Sequence, residues 1–325
     1  MTTTLSGPTT TPAVEVRDLR LAYGDHVVLD GIDLTVAPGT VHALLGPNGA
    51  GKTTTVNILA TLLAPDAGTA RVFGHDVVED PRAVRATIGL TGQFAAVDDL
   101  LTARENLVLM GRLHHLPAAE VSRRTDDLLG RFGLADVAAD RPSTFSGGMR
   151  RRLDLAMGLV GRPRVLFLDE PTTGLDPRSR RATWDVVREL VAEGVTVLLT
   201  TQYLEEADQL ADRISLLDGG AVVADGAPAE LKRLVPGGHV RLTFPDAAAL
   251  DLAASTLGTD APDHDSLALD VPGTGDAAAV RELLTRLEAA AVPVGELTVR
   301  TPDLDDVFLA LTGRDRTPTP EEALR

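Results

Sequence analysis

The sequence predicts an α/β fold with a small α+β domain appended, and three observations carry that reading. The apolar run 41–45 leads into Gly46-Pro47-Asn48-Gly49-Ala50-Gly51-Lys52-Thr53 and then a helical stretch over 54–63, the strand, loop and helix of a phosphate-binding loop with spacing G-x-x-x-x-G-K-[ST]. A second apolar strand, 165–168, delivers Asp169 and Glu170 at its carboxyl end. Beyond Val235 the composition turns acidic and short strands alternate with helices, the signature of a separate small domain.

The residue types of the first motif follow from phosphate chemistry. Gly46, Gly49 and Gly51 permit backbone conformations that turn successive N–H groups inward, and the helix that follows adds its positive dipole end. Pro47, Asn48 and Ala50 fill the variable positions, and Thr54 opens the helix. Lys52 reaches terminal phosphates and Thr53 offers a hydroxyl to Mg2+. Only Lys52 and Lys232 are lysines among 31 basic side chains. In a chain that defaults to arginine, a compact ammonium at position 52 is a specific choice over a planar fork.

The 325 residues have room for two domains, each with its own core. A formal charge of -16 argues against general affinity for nucleic acid, whose phosphate backbone calls for a basic surface. Cysteine is absent, which excludes disulfide, zinc-thiolate and thiol chemistry. No apolar run approaches the roughly 20 residues that span a bilayer. Residues 1–12 are rich in Thr and Pro, lack a charged start and an apolar centre, and read as a disordered tail rather than a signal peptide. A soluble, cytoplasmic protein is expected.

In chain order, runs 14–21 and 27–36 predict an antiparallel pair. Tyr23 falls in the turn between them, where its ring either stacks on a nucleobase or packs on the edge of the core. Strands are expected at 68–74 and 88–91, the latter ending near Gln93, which taken alone is an ordinary solvated glutamine. A helical subdomain is expected over about 100–160. Thr102 through Glu105 spell a capping box, and 120–132 is a second amphipathic run. At its end stands Phe145-Ser146-Gly147-Gly148-Met149, followed by Arg150, Arg151, Arg152 and a helix to 160. Ser146, Gly147 and Gly148 form a second nest of donors at a helix start. Three arginines there oppose the helix dipole unless an anion or acidic partner offsets them; the alternative is an N-capped helix with a solvated basic face.

Ligands gather at the carboxyl ends of strands in an α/β sheet. Asp169 is therefore placed to hold Mg2+, through water, and Glu170 to orient or deprotonate a water that attacks the terminal phosphate. Each of these acids and the phosphate loop predicts the other. Asp176-Pro177 then opens a helix with Trp184, Val187 and Leu190 on one face, 195–200 is a buried strand followed by Gln202, and 214–217 with 221–224 is a hairpin. The remaining 236–325 hold 16 acidic and 7 basic residues, with strands at 240–244, 267–271 and 294–300 and helices at 247–257, 276–291 and 304–312. The expected organisation is a tail 1–12, a nucleotide-binding domain 13–235, an α+β accessory domain 239–313 and a polar tail 314–325.

The ordered set GPNGAGKT, Gln93, FSGGM, VLFLDEP, GLDP and the segment 199–208 resembles the nucleotide-binding subunit of an ATP-binding cassette (ABC) transporter over roughly 13–234. Finer detail is similar to the daunorubicin/doxorubicin resistance ATP-binding protein family: TQYLEEAD, GGMRRR and the closing LDDVFLALTG. The resemblance implies a P-loop NTPase ABC ATPase core with mixed sheet, helical subdomain and antiparallel β subdomain. It implies ATP and Mg2+ as cofactors, and a homodimer formed on ATP binding. In that dimer Ser146, Gly147 and Gly148 of one copy close over the ATP held by residues 46–54 of the other, so the arginine run would find its anion on a partner subunit. Tyr23 would stack on adenine, Gln93 would touch Mg2+ and sense the membrane partner, and Asp176 would communicate between the two sites. The surface 94–113 would receive a separately encoded permease on the cytoplasmic face of a bacterial membrane. The activity implied is ATP-driven export of an antibiotic or other drug, with Glu170, Lys52 and Gln202 catalytic. Alternatives are a soluble cassette protein acting on ribosomes or DNA, and a module that binds ATP but scarcely hydrolyses it. Three positions depart from the family's usual pattern: Phe145 and Met149 stand for Leu and Gln, and Gln202 for a switch His. Glutamine cannot titrate but still hydrogen-bonds a γ-phosphate, so hydrolysis must lean on Glu170.

Overall fold

The computed structural model describes residues 11–92, 96–235, 238–259, 262–273, 277–300 and 302–312. Gln93, residues 1–10 of the expected first tail and all of the expected second tail lie outside them. The chain forms two compact units, Met1–Pro228 and Ala229–Arg325.

The first unit begins with a hairpin of β1 (Val14–Tyr23) and β2 (His26–Val36). Strand β3 (Val41–Leu45) then runs through the glycine loop into α1 (Lys52–Leu59). Next come β4 (Ala67–Val72), β5 (His75–Asp76), α2 (Pro81–Thr87) and β6 (Ile88–Thr91). Helices α3 (Ala103–Leu113), α4 (Ala118–Arg131) and α5 (Gly147–Leu159) follow. The unit closes with β7 (Val165–Asp169), α6 (Pro177–Ala192), β8 (Thr196–Thr201), α7 (Leu204–Leu210), β9 (Arg213–Asp218) and β10 (Ala221–Gly226), and α8 (Pro228–Lys232) starts at the division.

Two sheets result. One is antiparallel, ordered β2-β1-β4-β5; the other is mixed, ordered β10-β9-β3-β8-β7-β6, with β10 antiparallel to β9 and the remaining pairs parallel. Every residue of β3, β7 and β8 is buried, which is why their apolar residues stand in consecutive runs, 43–45, 165–168 and 197–199, rather than alternating. Leu44, Phe167 and Leu198 from this sheet share one core with Leu19, Leu29 and Ile32 of the hairpin and Val56, Ile58 and Leu59 of α1. At about 1.5–3 kcal/mol for each large side chain buried, that core fixes the phosphate loop between two sheets. Register places the carboxyl ends of β3, β7 and β8 side by side: Leu45 opposite Thr201, Asp169 opposite Thr200.

The helical segment forms as patterned. Thr102 and Glu105 close a reciprocal capping box on α3, and α4 buries Val121, Thr125, Leu128 and Leu129 on one stripe. Several boundaries differ from the sequence reading. Helix α1 starts two residues earlier, on Lys52, because Gly51 caps it from the left-handed region (φ 101°). It ends at Leu59, and two residues on Thr61 turns to φ 62°. Tyr23 is the last residue of β1, paired with His26, rather than part of the turn.

The second unit holds β11 (His239–Thr243), α9 (Ala247–Leu257), β12 (Pro262–Asp263), β13 (Ala268–Pro272), α10 (Ala277–Ala289), β14 (Leu297–Arg300) and α11 (Leu304–Thr312). Its sheet, β12-β13-β11-β14, is antiparallel, and Leu242, Leu250, Leu269 and Leu287 lie in a core of its own.

Candidate functional site

At the carboxyl end of β3 the loop residues Asn48, Gly49, Gly51, Lys52, Thr53 and Thr54 line a cleft of about 350 Å³ that Tyr23 and Glu170 also border. Ala50, 2 % exposed, packs in the core beneath. The loop is tight for a steric reason. A Cβ on Gly46 would sit 2.2 Å from the Leu217 carbonyl oxygen, and one on Gly51 2.5 Å from Leu29 Cδ2. Gly49 instead has open space around it but φ 84°, a conformation that disfavours other residues. Lys52 Nζ donates to the carbonyls of Gly46 at 2.8 Å and Pro47 at 2.9 Å, and it lies 3.9 Å from Glu170 Oε1. Burial lowers the Lys52 pKa, opposed by the charges of Glu170 and Asp169. Tyr23 is 57 % exposed at the rim.

The two acids at the end of β7 differ in what they touch. Asp169, 4 % exposed, accepts through Oδ1 from Thr53 Oγ1 at 3.1 Å and from Thr200 Oγ1 at 2.5 Å. Glu170 turns into the left-handed region at φ 48°, and its Oε2 accepts from Thr173 Oγ1 at 3.1 Å. The donor set fits Mg2+. A hydroxyl and a carboxylate are hard oxygens, and among the described residues no cluster of three or more acidic or His side chains forms a cage. This is the pattern for an ion held by one or two protein oxygens together with substrate phosphates.

Other expected site residues stand apart from this cleft within the chain. Ser146 N-caps α5, accepting from Met149 N at 3.3 Å, and both Ser146 and Gly147 are exposed. Gly148 packs against α6, where a Cβ would meet Ser179 Oγ at 2.4 Å. Asp176 N-caps α6, accepting from the N–H of Arg178 and Ser179 at 3.0 and 2.9 Å and from Ser179 Oγ at 2.7 Å. Gln202 directly follows β8 and is half-buried.

In the arginine run each guanidinium has a partner within the chain. Arg150 pairs with Asp99 at 2.5 Å, and Arg152 donates to Phe132 O at 2.8 Å. Arg151, buried with Asp154, donates to Pro171 O at 2.8 Å, Gly92 O at 2.9 Å and the Asp154 carboxylate at 3.0 Å. Apart from Asp154, three residues on from Arg151, these partners come from 20 or more residues away, beyond the reach of motif spacing. Sequence reasoning also missed His26 and Val28, which border the cleft beside Tyr23; the signal was the hairpin, which sets His26 opposite Tyr23.

A larger cleft of about 830 Å³ opens at the amino ends of β3 and β9, bordered by His42, Arg213 and Asp225. It lies away from the strand ends where α/β ligands gather, so the smaller cleft is the candidate site.

The family model described as ABC transporter matches residues 29–173. Daunorubicin resistance ATP-binding protein DrrA3 of Streptomyces coeruleorubidus is 53 % identical over 306 residues, 94 % of this chain and 97 % of that protein. Daunorubicin/doxorubicin resistance ATP-binding protein DrrA of Streptomyces peucetius is 50 % identical over 93 % of each chain. Nod factor export ATP-binding protein I of Ralstonia nicotianae is 39 % identical over 94 % of this chain and 95 % of its own. Among solved structures, an ATP-binding subunit of an ABC transporter superposes with TM-score 0.63 at 31 % identity, covering 68 % of this chain and 92 % of that one.

Proposed function

The chain belongs to the ABC transporter family as an ATP-binding, ATP-hydrolysing subunit, and on that premise we propose that it powers export of an antibiotic or other drug through a separate membrane permease. The observation that carries the catalytic reading is the meeting of two strand ends. Thr53 touches Asp169 at 3.1 Å, and Lys52 stands 3.9 Å from Glu170. Phosphate donors and a carboxylate able to activate water thus face one cleft. Thr53 and Asp169 would hold Mg2+, which when bound neutralises charge on the β- and γ-phosphate oxygens. Lys52 binds the terminal phosphates, Tyr23 stacks on adenine, and Glu170 orients and deprotonates the attacking water. Gln202 contributes a hydrogen bond to the γ-phosphate and no proton transfer.

Export rests on the relatives, whose names tie them to daunorubicin and doxorubicin resistance and to Nod factor export. Among the described residues no helix is long and apolar enough to cross a membrane. In this reading the permease is a separate subunit and this chain works at the cytoplasmic face of the membrane, in keeping with the naming of its relatives as ATP-binding proteins. The exposed α5 start, with Ser146, Gly147 and Gly148, supports a homodimer in which this nest closes over the nucleotide of the other copy.

Glu170→Gln tests the reading. ATP binding is retained, turnover falls by two orders of magnitude or more, and ATP drives the variant into a stable dimer on size exclusion. Steady-state ATPase near wild type in this variant refutes the assignment. Co-expression with a candidate membrane permease in a drug-efflux assay, with Lys52→Ala as control, tests export separately.

A further inference from the structure

We propose that Thr200 is a positioning residue for hydrolysis, whose single hydroxyl sets both acidic residues at the end of β7 from the strand that leads to Gln202. The proposal rests on the ATPase reading above. Thr200 is fully buried in β8, and the parallel register puts it directly opposite Asp169. Its Oγ1 donates to Asp169 Oδ1 at 2.5 Å and accepts from Glu170 N–H at 3.0 Å. A hydroxyl has one proton and two lone pairs, so both bonds form at once.

The two contacts do different work. The first is a short, charge-assisted hydrogen bond to the same carboxylate oxygen that Thr53 Oγ1 meets at 3.1 Å. It fixes the rotamer of the acid proposed to face the metal, from β8, the strand that lies between β7 and β3. The second concerns the Glu170 backbone, which stands at φ 48°, a left-handed conformation that a long side chain adopts only when its surroundings impose it. The Glu170 N–H is held by the Thr200 hydroxyl at 3.0 Å and by the Thr200 carbonyl at 3.2 Å. Deleting the hydroxyl leaves the carbonyl bond alone to hold the turn that aims the Glu170 carboxylate. Two residues further along the same backbone stands Gln202, so any shift of β8 at the switch position is felt by both acids. Valine has the shape of threonine but neither the donor nor the acceptor.

The test compares Thr200→Val and Thr200→Ser with wild type, and Thr200→Ala with Thr200→Ser as a pair that differs only in the hydroxyl. In the valine variant kcat for ATP falls at least tenfold while KM for ATP stays within about threefold, because the phosphate loop is untouched. The serine variant recovers kcat to within about threefold of wild type, and alanine lies at least tenfold below serine. A second readout does not depend on turnover. Equilibrium ATP binding titrated against Mg2+ shows the midpoint moving to higher Mg2+ in Thr200→Val and Thr200→Ala but not in Thr200→Ser. Should Thr200→Val fail to fold, the serine and alanine pair decides. A hydroxyl that only satisfied a buried carboxylate would lower the melting temperature of the valine and alanine variants and leave kcat and the Mg2+ midpoint unchanged; that result overturns the proposal. If wild type hydrolyses ATP, Glu170→Gln does not, and Thr200→Val matches wild type, this inference alone fails. If wild type itself is inactive with its membrane partner present, the ATPase reading fails instead.

Discussion

Gly46→Ala perturbs the phosphate loop at the place where the structure leaves least room. The new Cβ would lie 2.2 Å from the Leu217 carbonyl oxygen and 3.3 Å from Ala50 Cβ. Restoring an ordinary contact requires the loop or β9 to move by about 1 Å. Neither yields easily, since β9 is laddered to β3 and β10 on its two edges. Overpacking of this kind costs about 1–3 kcal/mol, or about 4–8 °C in melting temperature at 2 kcal/mol for a unit of this size. A displacement of about 1 Å in a positioning loop costs about 100-fold in turnover. Gly49→Ala is the control, because its Cβ meets nothing within 4 Å and only the φ of 84° is strained, at about 1–2 kcal/mol. ATPase kinetics and thermal melts of both variants separate collision from conformational strain. Gly46→Ala with kcat/KM within threefold of wild type and an unchanged melting temperature refutes the reasoning.

Two further outcomes follow from buried charge. Arg151→Ala strands Asp154 in the interior, where burial already raises its pKa against the pull of Arg151, and is expected to cost about 3–5 kcal/mol in urea unfolding. Arg151→Met combined with Asp154→Leu recovers most of that loss, so equal stability of the single and double variants speaks against the pair's role. His42 is 1 % exposed and burial lowers its pKa to about 4 from 6.5, opposed by Asp225. The folded state therefore refuses a proton that the unfolded chain accepts below pH 6.5. Stability is full above pH 6.5 and falls between pH 6.5 and 4, by about 2 kcal/mol at pH 5. His42→Gln flattens that stretch of the urea-unfolding profile, and a wild-type profile already flat from pH 7 to 5 contradicts the account.

Much of the architecture was legible because its causes are local. Strand β3, helix α9 and helix α11 fall where periodicity places them, and the α3 capping box forms between residues three apart. Helix α2 was missed although Asp80 accepts from Ala83 N and Pro81 opens the helix, both local signals; its single buried residue, Val84, gives no apolar stripe to read. The expected strand at 294–300 begins only at Leu297, because Gly295 N and Glu296 N bond the backbone and hydroxyl of Thr243 instead of continuing the ladder.

For the site, the division follows distance along the chain. Sequence alone determined the glycine loop, Lys52 and Thr53, because a phosphate cradle is built from consecutive backbone groups, and it determined that Asp169 and Glu170 end a buried strand. Tertiary structure decided which groups those acids touch. Thr53 and Thr200 reach Asp169 from 116 and 31 residues away, and Arg151 reaches Gly92 and Pro171 across 59 and 20. Hydrogen bonds act over about 3 Å of space whatever the separation along the chain, and only the packing of α1, α5 and β8 around the end of β7 brings these groups close enough to make them.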